Sequence, residues 1–85
     1  YPCLIVEVLS DSTESRDRGD KFADYRELSS LQEYVLISQS RQRVECFRRN
    51  VKGQWVLFTY RSNQQLHLES INFSCSVNHI YEDVR

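Results

Sequence analysis

Residues 4–25, LIVEVLSDSTESRDRGDKFADY, decide the fold of this chain. The run Leu4–Leu9 is apolar except for Glu7 and hardly alternates, which predicts a strand buried on both faces. Residues 10–15 are rich in Ser, Asp and Thr, which predicts a loop leading to a helix cap. A helix is predicted from about residue 16 to residue 28, with its apolar side chains on one stripe. The stretch therefore predicts a strand followed by a helix.

The rest of the chain predicts more strands and one more helix. The stretches with strand character are Glu33–Ser38, Val44–Arg48, Trp55–Tyr60 and Leu66–Ile71, separated by turns at 50–53 and 61–65. Residues 77–84 predict a short C-terminal helix. A strand, a helix and a strand in succession predict a right-handed βαβ unit with parallel strands. The predicted fold class is therefore α/β, with a strand-helix-strand core followed by an antiparallel β meander.

Length and composition set the class of protein. The 85 residues are enough for one small domain, and 40% hydrophobic and 27% charged residues are typical of a soluble globular protein. No apolar run approaches the roughly 18 residues needed to cross a bilayer, and no signal peptide is recognisable, so a cytoplasmic location is expected. The chain starts without Met, almost inside a strand, which predicts the later part of a longer domain.

The cysteines and histidines do not form a metal or disulfide pattern. Three cysteines are widely spaced and not in CxxC pairs, and two histidines lie twelve residues apart without a cysteine beside them. We expect reduced structural thiols and no zinc site. An enzyme with a Cys or Ser nucleophile also finds little support, because Cys3 and Ser10 have no histidine nearby in the sequence.

Positive charge is concentrated between residues 41 and 61, which carry six basic side chains and one acidic one. Such a surplus is suited to contacts with nucleic-acid phosphates. Equally, the charges could be solvated outer positions of strands, where they also discourage edge-to-edge aggregation. The candidate phosphate-binding residues are Arg41, Arg43, Arg48, Arg49 and Lys52.

Glu7 and Lys21 are the candidate chemical pair. A carboxylate inside an apolar strand needs a partner or a metal, and a lysine on the next helix could reach it. The carboxylate would bind Mg²⁺, which prefers oxygen ligands, and the lysine would orient water or neutralise phosphate charge. Asp17 and Tyr25, one helical turn either side of Lys21, could fix the ammonium. A plain salt bridge that only satisfies the buried acid explains the same spacing.

These motifs resemble a known family. Pro2, LIVEVLS at 4–10, Ser12-Thr13, DRGDK at 17–21, Tyr25 and Glu33-Tyr34 are similar to the Uma-type restriction endonucleases, and the resemblance continues more loosely to Ile80-Tyr81. That family belongs to the PD-(D/E)XK nuclease superfamily, which hydrolyses phosphodiester bonds with magnesium. The resemblance implies a restriction-endonuclease-like mixed sheet and a single domain, 1–85, that is the C-terminal portion of a longer nuclease domain.

The resemblance also implies roles for particular residues. Glu7 matches the strand acid that binds the metal, and the carbonyl of Val8 would join it. Leu9 stands where the superfamily usually has its lysine, and Lys21 on the following helix matches the relocated lysine. The upstream aspartate of the superfamily has no counterpart in these residues.

Two functions are compatible with this pattern. The first is a magnesium-dependent DNA endonuclease domain, and superfamily nucleases that cut both strands are often dimers, so a homodimer is an expected partner. The second is a non-catalytic module that binds nucleic acid or protein on the same fold, which the broken E-x-K motif favours.

Overall fold

Four strands form one mixed sheet in the order β1-β2-β3-β4. The structure is a computed structural model, and it describes residues 2–10 and 21–84. The strands are β1 (Leu4–Leu9), β2 (Glu33–Ser38), β3 (Arg43–Arg49) and β4 (Trp55–Arg61). β1 and β2 are parallel, whereas β2–β3 and β3–β4 are antiparallel. The predicted parallel pair and the hairpin that extends the sheet are both confirmed.

The remaining elements lie outside this sheet. Lys21 has helical backbone angles and directly precedes α1 (Phe22–Tyr25). A second, two-stranded antiparallel sheet consists of β5 (Gln65–Leu68) and β6 (Phe73–Ser76), joined by a 3-10 turn at Glu69–Ile71. The chain then enters α2 (Val77–Val84), as the sequence predicted.

The two faces of the four-stranded sheet bury different cores. On the first face, α1 and Leu31 cover a cluster centred on Leu9, Tyr34 and Leu36. We call this the α1 face. On the other face, β5, β6 and α2 cover Val35, Ile37, Val44 and Cys46 with the side chains Leu66, Leu68, Val77 and Tyr81. The α/β class with a mixed sheet, antiparallel strands and a short C-terminal helix is thus confirmed.

Two predicted elements differ in detail, and one strand was not predicted. The described part of the predicted helix 16–28 is α1 followed by turns, and residues 16–20 lie outside the described residues. The predicted strand Leu66–Ile71 ends at Leu68, because a carboxylate from β2 binds the backbone N–H groups of Glu69 and Ser70 and holds them in a turn. β6 was not predicted.

The prediction that β1 is buried on both faces is wrong. Val6 and Val8 remain 48% and 49% exposed, although they point to the same face as the buried Val35 and Ile37 of β2. The physical reason is position: β1 is the outer strand of the described sheet, and the β5–β6 layer packs over β2 and β3. Across residues 2–10 and 21–84, no helix is long and apolar enough to span a membrane.

Candidate active site

Glu7 points to the α1 face from the middle of β1. Register fixes this direction, because the parallel pair aligns Glu7 with Leu36, whose side chain is in the core beneath α1. Ile5 and Leu9 point the same way, as expected for a period of two. The side chain of Glu7 is only 17% exposed, so its charge needs partners within the protein.

Lys21 reaches Glu7 from the start of α1. Its Nζ lies 3.5 Å from Oε2 of Glu7, and the lysine side chain is 48% exposed. The helix is held in this place by Phe22, whose ring stacks on Phe47 at 4.3 Å and meets Trp55 edge-on at 5.5 Å. The packing of Phe22 on aromatic residues of β3 and β4 therefore positions Lys21 beside Glu7, which lies on β1 at the opposite edge of the sheet.

Two tyrosines bind the same carboxylate. The hydroxyl of Tyr25 donates to Oε1 of Glu7 at 3.0 Å, and the hydroxyl of Tyr34 donates to Oε2 at 3.3 Å. The bond to Glu7, burial and the negative charge of Glu7 raise the pKa of Tyr25. Tyr25 thus stays a protonated donor at neutral pH, and the two hydroxyl bonds fix the rotation of the carboxylate.

Tyr34 was not identified as a site residue from the sequence. It stands inside the apolar run of β2, which is typical of a core position, and its ring is indeed fully buried. Only the parallel register brings its hydroxyl beside the neighbouring strand's acid. Its presence in the Glu33-Tyr34 motif was the one signal available.

The carbonyl of Val8 points away from β2, toward the other edge of β1. The carbonyls of Cys3 and Leu9 accept hydrogen bonds from Gln32, Glu33 and Gln39, at the two ends of β2. In a parallel pair such bonds involve every second residue. Odd-numbered residues of β1 thus face β2, and the carbonyl of Val8 faces the open edge.

The donor set at this place suits a hard cation. Glu7 and the Val8 carbonyl provide only oxygen ligands, and Mg²⁺ commonly binds one or two carboxylates and keeps several waters. Among the described residues, Tyr25 donates a hydrogen bond to Oε1 of Glu7. A carboxylate oxygen can accept more than one bond, so Oε1 can also bind a cation. Within residues 2–10 and 21–84 no three His, Cys, Asp or Glu side chains form a ready metal cluster. Asp17 lies outside the described residues.

Arg48, one of the predicted phosphate-binding residues, is engaged inside the protein. Its Nε donates to Oε2 of Glu33 at 2.8 Å, and its guanidinium lies 4.6 Å from the ring centre of Phe58. The side chain also donates to the carbonyl of His67 and lies 3.6 Å from the Glu69 carboxylate. With 12% of its side chain exposed, Arg48 joins the two sheets and offers little to a phosphate.

Arg49 also has internal partners. Its guanidinium donates to the carbonyls of Arg26 and Leu28 at 3.2 and 3.1 Å, just after α1, and covers the ring of Trp55. Arg43 bonds Ser38 Oγ and lies 3.7 Å from the Glu45 carboxylate.

Arg41 and Lys52 are exposed, but they lie at opposite ends of β3. The seven residues of that strand separate the two turns by roughly 20 Å. The described residues thus do not bring the basic side chains into one patch.

Sequence comparisons identify relatives of this chain. The sequence model of the Uma2 family, described as a putative restriction endonuclease, matches residues 1–78. The uncharacterised protein slr1290 of Synechocystis sp. is 43% identical over 81 residues, covering 95% of this chain and 43% of that protein. A second Synechocystis protein, sll1609, is 46% identical over 56 residues, covering 66% of this chain and 32% of that protein.

A solved structure has the same fold. The crystal structure of a putative nuclease belonging to DUF820 from Anabaena variabilis matches with a TM-score of 0.65 and 16% identity. The match covers 99% of this chain and 46% of that one. The chain therefore spans less than half the length of the relatives that it matches.

Proposed function

Because this chain belongs to the Uma2 family of putative restriction endonucleases, we propose that it is the part of a magnesium-dependent DNA endonuclease domain that carries the strand acid and the lysine. One observation carries the proposal: Lys21, Tyr25 and Tyr34 all converge on the carboxylate of Glu7. A purely structural acid on an outer strand would need fewer partners, and it would not need a half-exposed lysine.

Each residue has a separate task in this proposal. Glu7 and the carbonyl of Val8 would hold Mg²⁺, which when bound supplies a Lewis acid for the phosphodiester and its attacking water. Lys21 places a positive charge beside the carboxylate, where it orients water and offsets negative charge that develops on the phosphate. Tyr25 and Tyr34 hold the carboxylate in one rotation, as hydrogen-bond partners of a metal ligand do. Asp17 is proposed to support Lys21.

The proposal requires contributions from outside these residues. Hydrolytic magnesium sites commonly use a second carboxylate, and Glu33 and Glu69 do not supply it, because both pair with Arg48. The exposed Arg41 and Lys52 are the proposed phosphate contacts, whereas Arg43, Arg48 and Arg49 keep their internal partners. Cleavage, substrate and magnesium dependence are thus proposed for a protein of the relatives' full length.

Plasmid cleavage by such a full-length protein tests the function. Glu7→Gln and Lys21→Met should each lower the magnesium-dependent rate by at least about 100-fold, since each removes a preorganised electrostatic contact. The matched control is Glu27→Gln, an exposed acid in the turn after α1, which should cleave normally. Wild-type rates in either site variant, with normal folding by circular dichroism, would refute the assignment.

The alternative is a binding module without catalysis, and one observation favours it. Lys21 and two hydroxyls already satisfy the Glu7 carboxylate without a metal. Such a module would bind DNA with a steep salt dependence, or a partner protein, without any need for magnesium. Calorimetric titration of MgCl₂ separates the readings, because only the endonuclease predicts a saturable heat that disappears in Glu7→Gln.

A further inference from the structure

The side chain of Glu7 has a cation of the protein itself as a partner. Nζ of Lys21 lies 3.5 Å from Oε2 of Glu7, and the same oxygen accepts the hydroxyl of Tyr34 at 3.3 Å. The other oxygen, Oε1, accepts the hydroxyl of Tyr25 at 3.0 Å. Lys21 is exposed, whereas Tyr25 is half-buried and Tyr34 is buried. Among these three partners, the ammonium is thus the one that water reaches most easily.

The three partners also differ in how firmly they are held. The buried ring of Tyr34 meets the ring of Tyr25 edge-on at 5.2 Å and stacks on Phe22 at 5.6 Å, so packing fixes both hydroxyls. Lys21 carries its charge on a flexible aliphatic stem, and 48% of its side chain is exposed. An ion pair with such an exposed member contributes little to stability, because water solvates the ammonium almost as well. Of the three partners, Lys21 is therefore the one that can leave Glu7 at the smallest cost.

A lysine in this position opposes a metal ion on the same carboxylate. Mg²⁺ binds carboxylate oxygens directly, and a second positive charge within about 4 Å of Oε2 repels it. We propose that Lys21 is a movable counter-ion: it neutralises Glu7 in the free protein and moves to the DNA phosphates when metal and DNA bind. The inference rests on the proposed function, since Mg²⁺ and DNA are taken as the ligands of this site.

This movement makes the binding of the two ligands interdependent. Without DNA, Mg²⁺ has to displace the ammonium from Oε2 of Glu7, which lowers the affinity for the metal. Phosphate groups offer Lys21 a new negative partner, so bound DNA removes part of that cost. By thermodynamic reciprocity, Mg²⁺ raises the affinity for DNA by the same factor. The site therefore holds its metal weakly until a nucleic acid is present.

Calorimetric titration of MgCl₂ into the full-length protein without DNA is the first experiment. Lys21→Met removes the charge and keeps most of the stem, so Mg²⁺ should bind about tenfold more tightly. Lys21→Arg keeps the charge and should bind Mg²⁺ as weakly as the wild type does. Arg26→Met is the matched control, because it removes the same charge from the exposed C-cap residue of α1. Solvent screening should keep its effect on the affinity below about twofold.

The same variant separates a counter-ion from a residue that only supports the site. A supporting lysine would hold the carboxylate in place, as the hydroxyls of Tyr25 and Tyr34 do, and its loss would weaken metal binding. A movable counter-ion predicts the opposite combination in Lys21→Met, which is tighter Mg²⁺ binding together with slower cleavage.

A second titration, with DNA present at saturation, tests the coupling. The probe is a short phosphorothioate DNA duplex, which resists hydrolysis. DNA should tighten Mg²⁺ binding in the wild type by a factor about ten times larger than in Lys21→Met, because the variant has already lost the opposing charge.

Failure of this inference is distinguishable from failure of the proposed function. If Lys21→Met binds Mg²⁺ no more tightly than the wild type, or if DNA tightens binding equally in both, Lys21 does not oppose the metal. The inference is then overturned, while the endonuclease assignment stands. If neither protein gives a saturable heat that Glu7→Gln abolishes, the inference and the magnesium site are both overturned.

Discussion

Tyr34 is the residue whose role depends most on its hydroxyl. The ring is buried in the core under α1, while its oxygen lies 3.3 Å from Oε2 of Glu7. Tyr34→Phe keeps the ring and should fold normally, but a freer carboxylate binds a cation less well. Partners of metal ligands typically contribute 10-fold or more in affinity. We expect about a tenfold weaker magnesium affinity by calorimetry, with Tyr25→Phe similar. Wild-type affinity in both variants would contradict a positioning role.

The three thiols should differ sharply in reactivity. Burial, with the nearby charge of Glu33, raises the pKa of Cys46 to about 12, and burial also raises the pKa of Cys75. Cys3 is exposed. Because the thiolate is the reactive form, Ellman's reagent at pH 8 should label Cys3 first and label Cys46 only on unfolding. Loss of the fast phase in Cys3→Ser is the control, and rapid labelling of Cys46 in the folded protein would contradict its burial.

Among the elements, the turns after α1 are bound to the sheet by one arginine. Arg49 donates to the carbonyl of the C-cap residue Arg26 and to those of Leu28 and Ser29, which lie beyond the helix. Removing these bonds in Arg49→Ala should lower the free energy of unfolding by about 1–2 kcal/mol in urea titrations. Arg41→Ala, at an exposed turn, is the control and should stay within about 0.5 kcal/mol of the wild type. Equal effects would mean that the carbonyl contacts are not stabilising.

The sequence predicted those strands and helices whose formation depends on local periodicity. The apolar runs of β1 and β2, the hairpin around Gly53 and the helix at Val77 were predicted and are present. β6 was missed because FSCS has little strand character of its own, and it becomes a strand by pairing with β5.

The same limit applies to the candidate site. The sequence predicted that Lys21 could approach Glu7, and the two are 3.5 Å apart. Its one indication of Tyr34 was the Glu33-Tyr34 motif, and it gave none of the internal partners of Arg48 and Arg49. These contacts depend on which residues stand opposite each other across strands. The exposure of Val6 and Val8 likewise follows from strand order, which a strand's own residues do not encode.

At the scale of the whole molecule, Glu33 connects the two sheets. It accepts bonds from Arg48 and from the backbone N–H groups of Glu69 and Ser70. Burial acts to raise the pKa of its carboxyl, but the bonds from Ser70, Arg48 and Glu69 outweigh burial, and the pKa lies below its usual value of 4.5. A carboxyl whose folded-state pKa is lowered stabilises the fold above the unfolded-state value, and that contribution is lost as pH falls through the folded-state pKa.

Glu33→Gln tests this connection. We expect a loss of about 3 kcal/mol at pH 7 in urea titrations, since Arg48 is left buried without its partner. The difference from the wild type should begin to shrink as pH falls below about 4.5, and it should be lost as pH falls through the lower folded-state pKa, where the wild-type carboxyl loses its charge. Glu69→Gln, at the exposed acid beside the same arginine, is the control and should have a small effect. A difference that stays constant between pH 7 and pH 3 would contradict this account.

The parallel pairing of β1 with β2 has a consequence for the order of folding. Paired residues of β3 and β4 are as few as six positions apart in the chain, whereas Leu4 and Glu33 are separated by 29. Closing the longer loop costs more chain entropy and is slower. The hairpin should thus form first, and Glu7 should meet its tyrosines only when β1 joins. In native-state hydrogen exchange, the amides of β1 should exchange through openings of lower free energy than those of β3. Glu7 and Lys21 would then belong to the part of the molecule that assembles last and detaches first.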